Sequence, residues 1–520
     1  MIVLYNTLLT KSDKRYNILR WINIKSGSLW LLIGDKCSKL VEYLKSINAQ
    51  TDFYLSLEDW EKNDRKYDYI LLYDLPYTKE VISVFLNCLN SNGQLIILAE
   101  NPLGTNTLGG YADTQTGIFF DSIRKEKRNC ISLRNLKKLI DNSCSNMPYK
   151  FYYPYPTNDF AEMIFSDSFF PKASDLHNSS YPVSDKRINL FNMQELYERA
   201  DDAGILLELM NSFMVIIGKD VTPWDFVKYS TEREEKYQIL TKIQNGCVVL
   251  KKSLTDDGKE HLNNLITIEK ELSKKFEGTL LKANRCWKSN DGISLEFLKG
   301  ISLSDLLDDA LLNNNSNKFW NLIDQYMNNI KKVYPGEAEA YLDIDLIFQN
   351  IIVDNGVWNV LDYEWTFNEN FPVDFVIYRA IHYYFYQSNI CRENIELEQL
   401  YRYCGIEHDR IQTLAQMEYN FQKKIGAPIC ENSDAPDQMS VEDFLETKKQ
   451  AKERLQAMDF WKARADERMD VIHNLEKRLS ELEVVESDMN YITASRSWKF
   501  YKKLIHWDDH KNRGSIRDDG

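Results

Sequence analysis

Residues 341–367 read Tyr-Leu-Asp-Ile-Asp-Leu-Ile-Phe-Gln-Asn-Ile-Ile-Val-Asp-Asn-Gly-Val-Trp-Asn-Val-Leu-Asp-Tyr-Glu-Trp-Thr-Phe, with oxygen-bearing side chains at a spacing that could do chemistry. Asp345 and Asn350 precede an apolar strand at 351–353, Asp354-Asn355-Gly356 makes a tight turn, and a second strand at 357–361 delivers Asp362. Asn-Gly between apolar runs is a hairpin signal, so Asp345, Asn350 and Asp362 are expected at one end of a hairpin. Phosphoryl transfer needs such a set. A carboxylate must accept the proton of the attacking hydroxyl, and hard oxygen ligands must hold Mg²⁺ against the phosphates of ATP. A plain hairpin with incidental acids accounts for the Asp345/Asn350 pair alone, but poorly for pair, hairpin and second Asp in that order.

The run resembles the catalytic loop and metal-binding strand of the protein-kinase-like superfamily, Asp-Leu-x-x-x-Asn followed by an Asp after an apolar strand. It is most similar to the branch that phosphorylates small molecules and sugars, where the second Asp opens Asp-Tyr/Phe-Glu; here this is Asp362-Tyr363-Glu364. The resemblance implies an α+β two-lobed domain over 222–432, with Asp345 as catalytic base, Asn350 and Asp362 as Mg²⁺ ligands, and ATP as donor. It also implies a lysine on the strand that follows Gln244-Asn245-Gly246. Strand alternation puts Val249 and Lys251 on one face, so Lys251 is expected to hold the ATP phosphates, with Lys252 left open.

A glutamate on the helix over 257–275 should orient that lysine; Glu269 suits the spacing, with Glu260 and Glu271 as rivals. No Gly-x-Gly-x-x-Gly loop precedes the lysine, and Tyr229-Ser230-Thr231-Glu232-Arg233 stands in its place, offering hydroxyls and Arg233 to the phosphates. Residues 293–300 resemble the strand and hinge between kinase lobes, helices are expected at 302–312 and 318–332, and the aromatic run 376–382 reads as core of the second lobe.

These elements sit in a chain of 520 residues, too long for one core. A hydrophobic share of 43% is enough to bury globular cores. A net charge of −14 disfavours a nucleic-acid partner, which would demand a basic surface. Thirty Tyr and eleven Trp would suit sugar rings, although packing explains most such residues. The nine cysteines are scattered, with no Cys-x-x-Cys pair, as expected of reduced thiols and not of a structural zinc site. The first residues lack the layout of a secretory signal, and no run of about 18 apolar residues exists. The expectation is a cytoplasmic protein, at most peripheral at a membrane.

Residues 1–218 read as α/β, with strands at 29–33, 69–73 and 94–99, helices at about 37–47 and 78–90, and a terminal antiparallel pair at 150–155 and 212–218. Ser91-Asn92-Gly93 followed by Gln-Leu-Ile-Ile-Leu-Ala-Glu resembles the turn and fifth strand of class I S-adenosylmethionine-dependent methyltransferases, and Asp68-Tyr69-Ile70-Leu71-Leu72 their fourth strand. The cofactor region departs from that family. Its Gly-rich turn is reduced to Ile33-Gly34-Asp35-Lys36-Cys37-Ser38, the acid usual before Ile33 is Leu32, and the interval from Gly34 to Tyr67 holds little more than a helix and one strand. The resemblance therefore implies a shortened Rossmann-like domain with structural or docking work, retained methyl transfer standing as an alternative. The polar, Gly-rich segment 99–121 resembles the substrate-side loops of the same enzymes or is a packed surface loop.

After a polar linker at 430–440, the charged stretch 441–492 carries Ala465, Ile472 and Leu479 alternating with Leu475, Leu482 and Met489, a coiled-coil seam that implies a homo-oligomer. A long helix packed on its own chain is the rival reading. Basic and aromatic residues interleave over 494–504, as in a membrane-surface anchor or a docking helix, and 508–520 is expected to be disordered. The order of parts resembles the bacterial bifunctional methyltransferase–kinases that cap O-antigen chains. That resemblance implies a kinase acting on a sugar of a surface polysaccharide or its lipid-linked precursor, beside a glycosyltransferase partner. The alternative is an inactive scaffold that recruits glycan-assembly enzymes.

Overall fold

The computed structural model describes residues 13–61, 64–113, 118–123, 129–144, 147–176, 187–188, 191, 193–219, 222–426, 438–439 and 441–497. It forms two compact units, Met1–Met439 and Ser440–Gly520. Most of the expected linker, the basic aromatic residues from 498 on and the tail lie outside the described residues.

The first unit is built on one mixed sheet of 12 strands. β1 (Leu29–Ile33), β2 (Gln50–Tyr54), β3 (Tyr67–Tyr73) and β4 (Leu89–Glu100) are parallel, in the order β4-β3-β1-β2. β1, β3 and β4 are continuous apolar runs because both faces are covered, as parallel strands require. Leu31, Ile33, Ile70, Leu72, Leu95 and Ile97 enter the core on one face. Trp30, Leu32, Tyr69, Leu71, Ile96 and Leu98 enter the core on the other. Helix Ser38–Ser46 links β1 to β2, and helix Lys79–Leu86, capped by the Thr78 hydroxyl on the Val81 N–H (3.3 Å), links β3 to β4. Of the doubly wound order 3-2-1-4-5, the outer strand is missing: the interval after Gly34 holds one helix and β2, as its length implies. The first half is thus a shortened Rossmann-like unit.

β5 (Tyr149–Pro156), β6 (Ala161–Ser166), a two-residue β7 (Arg187–Ile188) and β8 (Ser212–Ile217) follow. The expected pair β5 and β8 is antiparallel, and β8 runs antiparallel to β4. β6 was not expected; it pairs with β5 on one side and with β9 (Phe226–Ser230) on the other. Through that last pair the sheet crosses the junction at 218–222 unbroken. It continues into β10 (Ile239–Gln244), β11 (Val248–Ser253), β13 (Cys286–Ser289) and β14 (Gly292–Glu296), with β12 (Leu281–Ala283) placed elsewhere.

Helix Gly258–Lys275 packs on these strands through Leu262, Leu265, Ile268 and Leu272. A second, four-stranded sheet joins β12, β15 (Ile301–Ser302) and the expected hairpin, and it lies among helices Leu303–Leu312, Ser316–Val333, Val373–Gln387 and His408–Ile425. Asn355 and Gly356 have φ of 49° and 81°, the paired positive angles a two-residue hairpin turn needs.

Among the described residues the second unit holds one helix, Val441–Ala494, of 54 residues, about 80 Å at 1.5 Å per residue. Ile472, Leu475, Leu479 and Leu482 are exposed along it. Among the described residues no helix is long and apolar enough to cross a membrane.

Asp225 fastens the junction. Its carboxylate accepts from Lys150 Nζ on β5 (2.5 Å), Ser166 Oγ on β6 (3.2 Å) and the Asn245 backbone N–H in the β10–β11 turn (2.9 Å). Because removing one partner of a nearly buried pair strands the other, Asp225→Ala should lower stability by roughly 3 kcal/mol. A urea midpoint equal to wild type would show that strand pairing alone holds the junction.

Candidate active site

The loop that carries Asp345 is pinned by buried polar side chains. Asp343 is fully buried; its Oδ1 accepts the Asp345 N–H (3.0 Å), and its own N–H donates to the Tyr334 hydroxyl (3.1 Å). Arg379, buried on helix Val373–Gln387, donates to the Ile344 carbonyl (2.8 Å), to Asp345 Oδ1 (3.0 Å) and to Glu418 (2.5 Å). The other Asp345 oxygen accepts from Asn350 Nδ2 (3.0 Å), which also bonds the Asp345 carbonyl (2.9 Å). The carboxylate of Asp345 is therefore fixed at both oxygens.

The hairpin now joins two strands, here β18 (Ile351–Asp354) and β19 (Val357–Val360), numbered after the short β16 (Ala338–Glu339) and β17 (Leu342–Asp343). The Leu361 N–H donates to the Asn350 carbonyl (2.7 Å), which draws Asp362 to the end of the loop that carries Asn350. Lys251 reaches across from β11, its Nζ 2.7 Å from Asp362 Oδ1 and 4.0 Å from Glu364 Oε2. Asp345, Asn350, Asp362 and Lys251 thus converge, as expected. Lys252 is exposed on the opposite face of the strand.

Glu269 is not brought to Lys251. It accepts from Ser273 one turn along its own helix (3.2 Å), and no ion pair joins it to Lys251 among the described residues. The helix directs its buried stripe of Leu262, Leu265, Ile268 and Leu272 inward, and His261 is the residue that faces Glu364, at 4.0 Å. The acids beside Lys251 come instead from the Asp-Tyr-Glu segment, Asp362 and Glu364. Glu364 binds Arg233 (2.5 Å) as well as Lys251, and Arg233 lies over the Trp365 ring at 4.9 Å. The segment standing in for a glycine loop therefore turns Arg233 toward protein.

Glu364, Arg379 and His261 were not anticipated as site residues. An arginine inside the apolar run 376–382 was a usable signal, because a buried charge demands a partner.

The charges set proton affinities. Burial raises the Glu364 carboxyl, but Arg233, Lys251 and His261 outweigh it and bring the pKa down to about 2. Burial raises Asp345; Arg379 opposes the shift, Asp362 and Glu364 add to it, and the result lies above the ordinary value. Burial would lower Lys251, yet Asp362 and Glu364 hold its ammonium above the ordinary value. Among the described residues no three His, Cys, Asp or Glu side chains cluster as a metal cage.

A second cluster lies at the carboxyl ends of β1, β3 and β4. Lys36 Nζ is 2.7 Å from Asp74, 2.5 Å from Glu100 and 3.5 Å from Asp159, and 5.3 Å from the centre of the Tyr73 ring. Asp159 also accepts from Arg15 (3.0 Å) and from the Tyr73 hydroxyl (2.9 Å). Burial would lower Lys36, but Asp159, Asp74 and Glu100 raise its pKa well above ordinary. Burial and Glu100 push Asp74 well above the carboxylate range against the pull of Lys36. Beside the cluster lies a polar cavity of about 90 Å³, lined by residues that include Asn101, Tyr111, Asn158 and Asn211. This is where a class I methyltransferase would hold S-adenosylmethionine, and the residues do not fit it. Lys36 occupies the ends of these strands in ion pairs with Asp74, Glu100 and Asp159, and the ribose-binding acid expected about 20 residues after the glycine turn is replaced at the tip of β2 by Tyr54.

No protein-family model and no curated protein matches the chain. Solved structures do. The plantazolicin methyltransferase BpumL in complex with SAH is 13% identical over 42% of this chain and 87% of its own, with a TM-score of 0.25. A SAM-dependent methyltransferase from Archaeoglobus fulgidus is 12% identical over 41% of this chain and 99% of its own, with a TM-score of 0.26. Haemonchus contortus phosphoethanolamine N-methyltransferase 2 in complex with S-adenosyl-L-methionine is 11% identical over 40% of this chain and 52% of its own, with a TM-score of 0.23. With scores this low, the strand order and not the likeness is the ground for the Rossmann description.

Proposed function

We propose that the chain is a phosphotransferase whose second half moves the γ-phosphoryl group of ATP to a hydroxyl of a small acceptor. One observation carries the reading: Asn350 donates to Asp345 while its carbonyl receives the Leu361 N–H, so base and metal ligands gather opposite Lys251. Asp345 takes the proton of the acceptor hydroxyl as the new O–P bond forms and the bond to the bridging oxygen of ADP breaks. Bound Mg²⁺ would supply charge neutralisation at the phosphates, held by Asp362 and Asn350. Lys251 exchanges its contact with Asp362 for the phosphates, and Glu364 with Arg233 keeps its strand end in place.

The acceptor is a sugar of a surface polysaccharide or its lipid-linked precursor, and a glycosyltransferase is the partner. That part of the reading rests on the order of a Rossmann-like unit, a kinase-like unit and a long helix. Work on such an acceptor would put the chain on the cytoplasmic side, with peripheral contact at the membrane. The exposed row Ile472, Leu475, Leu479 and Leu482 supports pairing of the helix with other copies.

A second reading, an inactive scaffold, is favoured by the closed ion pairs of Lys251 and Arg233 and by the lack of a glycine loop. A rise in melting temperature with Mg²⁺ and ATP separates the two, since saturating ligand at about 100 Kd adds roughly 2.7 kcal/mol. Methyl transfer by the first half has the strand order in its favour and Lys36 and Tyr54 against it; equilibrium binding of S-adenosylmethionine bears on it directly.

Asp345→Asn should lower kcat by about 10²–10⁴-fold, the usual worth of a positioned base. Asp362→Ala should abolish Mg²⁺-dependent transfer, and Glu269→Ala should leave the rate close to wild type. Labelled-ATP assays with a panel of saccharides check these outcomes; an active Asp362→Ala protein sinks the assignment. Because Asp345 must be ionised to accept a proton, kcat/KM should fall on the acid side at a pH above the ordinary aspartate value of 3.8. A limb at or below that value, or none, removes Asp345 as the base. The double variant Leu475→Asp/Leu482→Asp should reduce the mass found by light scattering to that of one chain; an unchanged mass rules out this seam.

A further inference from the structure

In doubly wound sheets the ligand sits outside the carboxyl ends of the strands, where the chain order reverses. Here the reversal lies between β1, which continues to β2, and β3 on its other side. The loop leaving β1 does not open a cradle there. Gly34 has φ of 127°, and a Cβ on it would lie 2.4 Å from the Tyr73 carbonyl oxygen, so its lack of a side chain lets the loop close on β3. In a nucleotide-binding turn the same freedom lets backbone approach a ligand; in this chain it brings backbone to backbone.

Into the closed space comes Lys36, its side chain only 9% exposed. The acids around it come from three separate places: Asp74 just after β3, Glu100 at the end of β4, and Asp159 in the turn between β5 and β6. Three carboxylates this close, Asp159 buried, Asp74 nearly so and Glu100 about one-third exposed, would repel one another and need a cation. The chain supplies the cation itself, with Arg15 as a second one on Asp159.

We propose that Lys36 is a permanent internal counter-cation in the cofactor's place, so that the first half takes no S-adenosylmethionine and serves as the platform of the shared sheet. The inference is independent of the phosphotransfer reading, because none of its residues belongs to the Asp345 site.

Two measurements on the full chain test it. In equilibrium dialysis with labelled S-adenosylmethionine, the wild-type protein should show no saturable binding; saturable binding overturns the proposal. Lys36→Ala should lose several degrees of melting temperature, and ethylammonium chloride should restore part of that loss while sodium chloride at equal ionic strength does not. A Lys36→Ala protein as stable as wild type overturns the proposal, as does recovery that is the same with both salts. If Lys36→Ala does not fold, Lys36→Arg, which keeps the cation, should fold and again bind no S-adenosylmethionine; failure of both variants to fold leaves the wild-type dialysis as the deciding result.

Discussion

The pairing of β6 with β9 governs the rest of the molecule. Met163, Ile164 and Phe165 lie opposite Lys228, Val227 and Phe226 in antiparallel register, and through these residues the strands on either side become one sheet. Strand hydrogen bonds are directional, so this contact sets orientation as well as distance. Asp225 adds a charged fastening at the same seam, bonded to β5, β6 and the β10–β11 turn. The strand part of the second half is therefore an extension of the Rossmann sheet and not a body joined to it by a linker.

Both clusters of acids show the same constraint on buried charge. A carboxylate taken out of water must find a cation or a proton. Around Asp345 and Asp362 the cations are Arg379, Lys251 and Arg233; around Asp74 and Asp159 they are Lys36 and Arg15. The outcomes differ because the geometry does. Asp345 and Asp362 lie along a loop and a hairpin end that share a boundary with β11, whereas Lys36 sits under a loop pressed on β3.

Much of this was legible in the sequence, for reasons that can be named. The β18–β19 hairpin was readable because Asn355-Gly356 supplies the positive φ angles its turn needs, and that turn fixes the register that delivers Asp362. β1, β3 and β4 were readable because strands covered on both faces leave continuous apolar runs. β2 was not, since Gln-Thr-Asp-Phe-Tyr is an edge strand with one partner. The shared sheet had no local signal at all: no period in Ala161–Ser166 says which strand lies beside it. Glu269 misled because helix spacing from Lys251 places a residue along the axis but not around it. The buried stripe decides the rotation, and it turns His261 toward Glu364.

The shared sheet also bears on how the cleft between β11 and the β18–β19 hairpin can open. In a two-lobed protein either lobe can swing about the hinge. Here β11 belongs to a platform anchored through β6 and Asp225, so a rotation of the strand side would have to shear a continuous ladder of backbone bonds. The helical side is held to it by other contacts, Lys172 with Asp305 (3.3 Å), Asn389 with Glu198 and the Glu234 N–H with the Ile425 carbonyl (2.8 Å). Lys251 is therefore fixed with the platform, and any widening of the space between it and the hairpin falls on side-chain contacts such as Lys251 with Asp362 and not on the sheet.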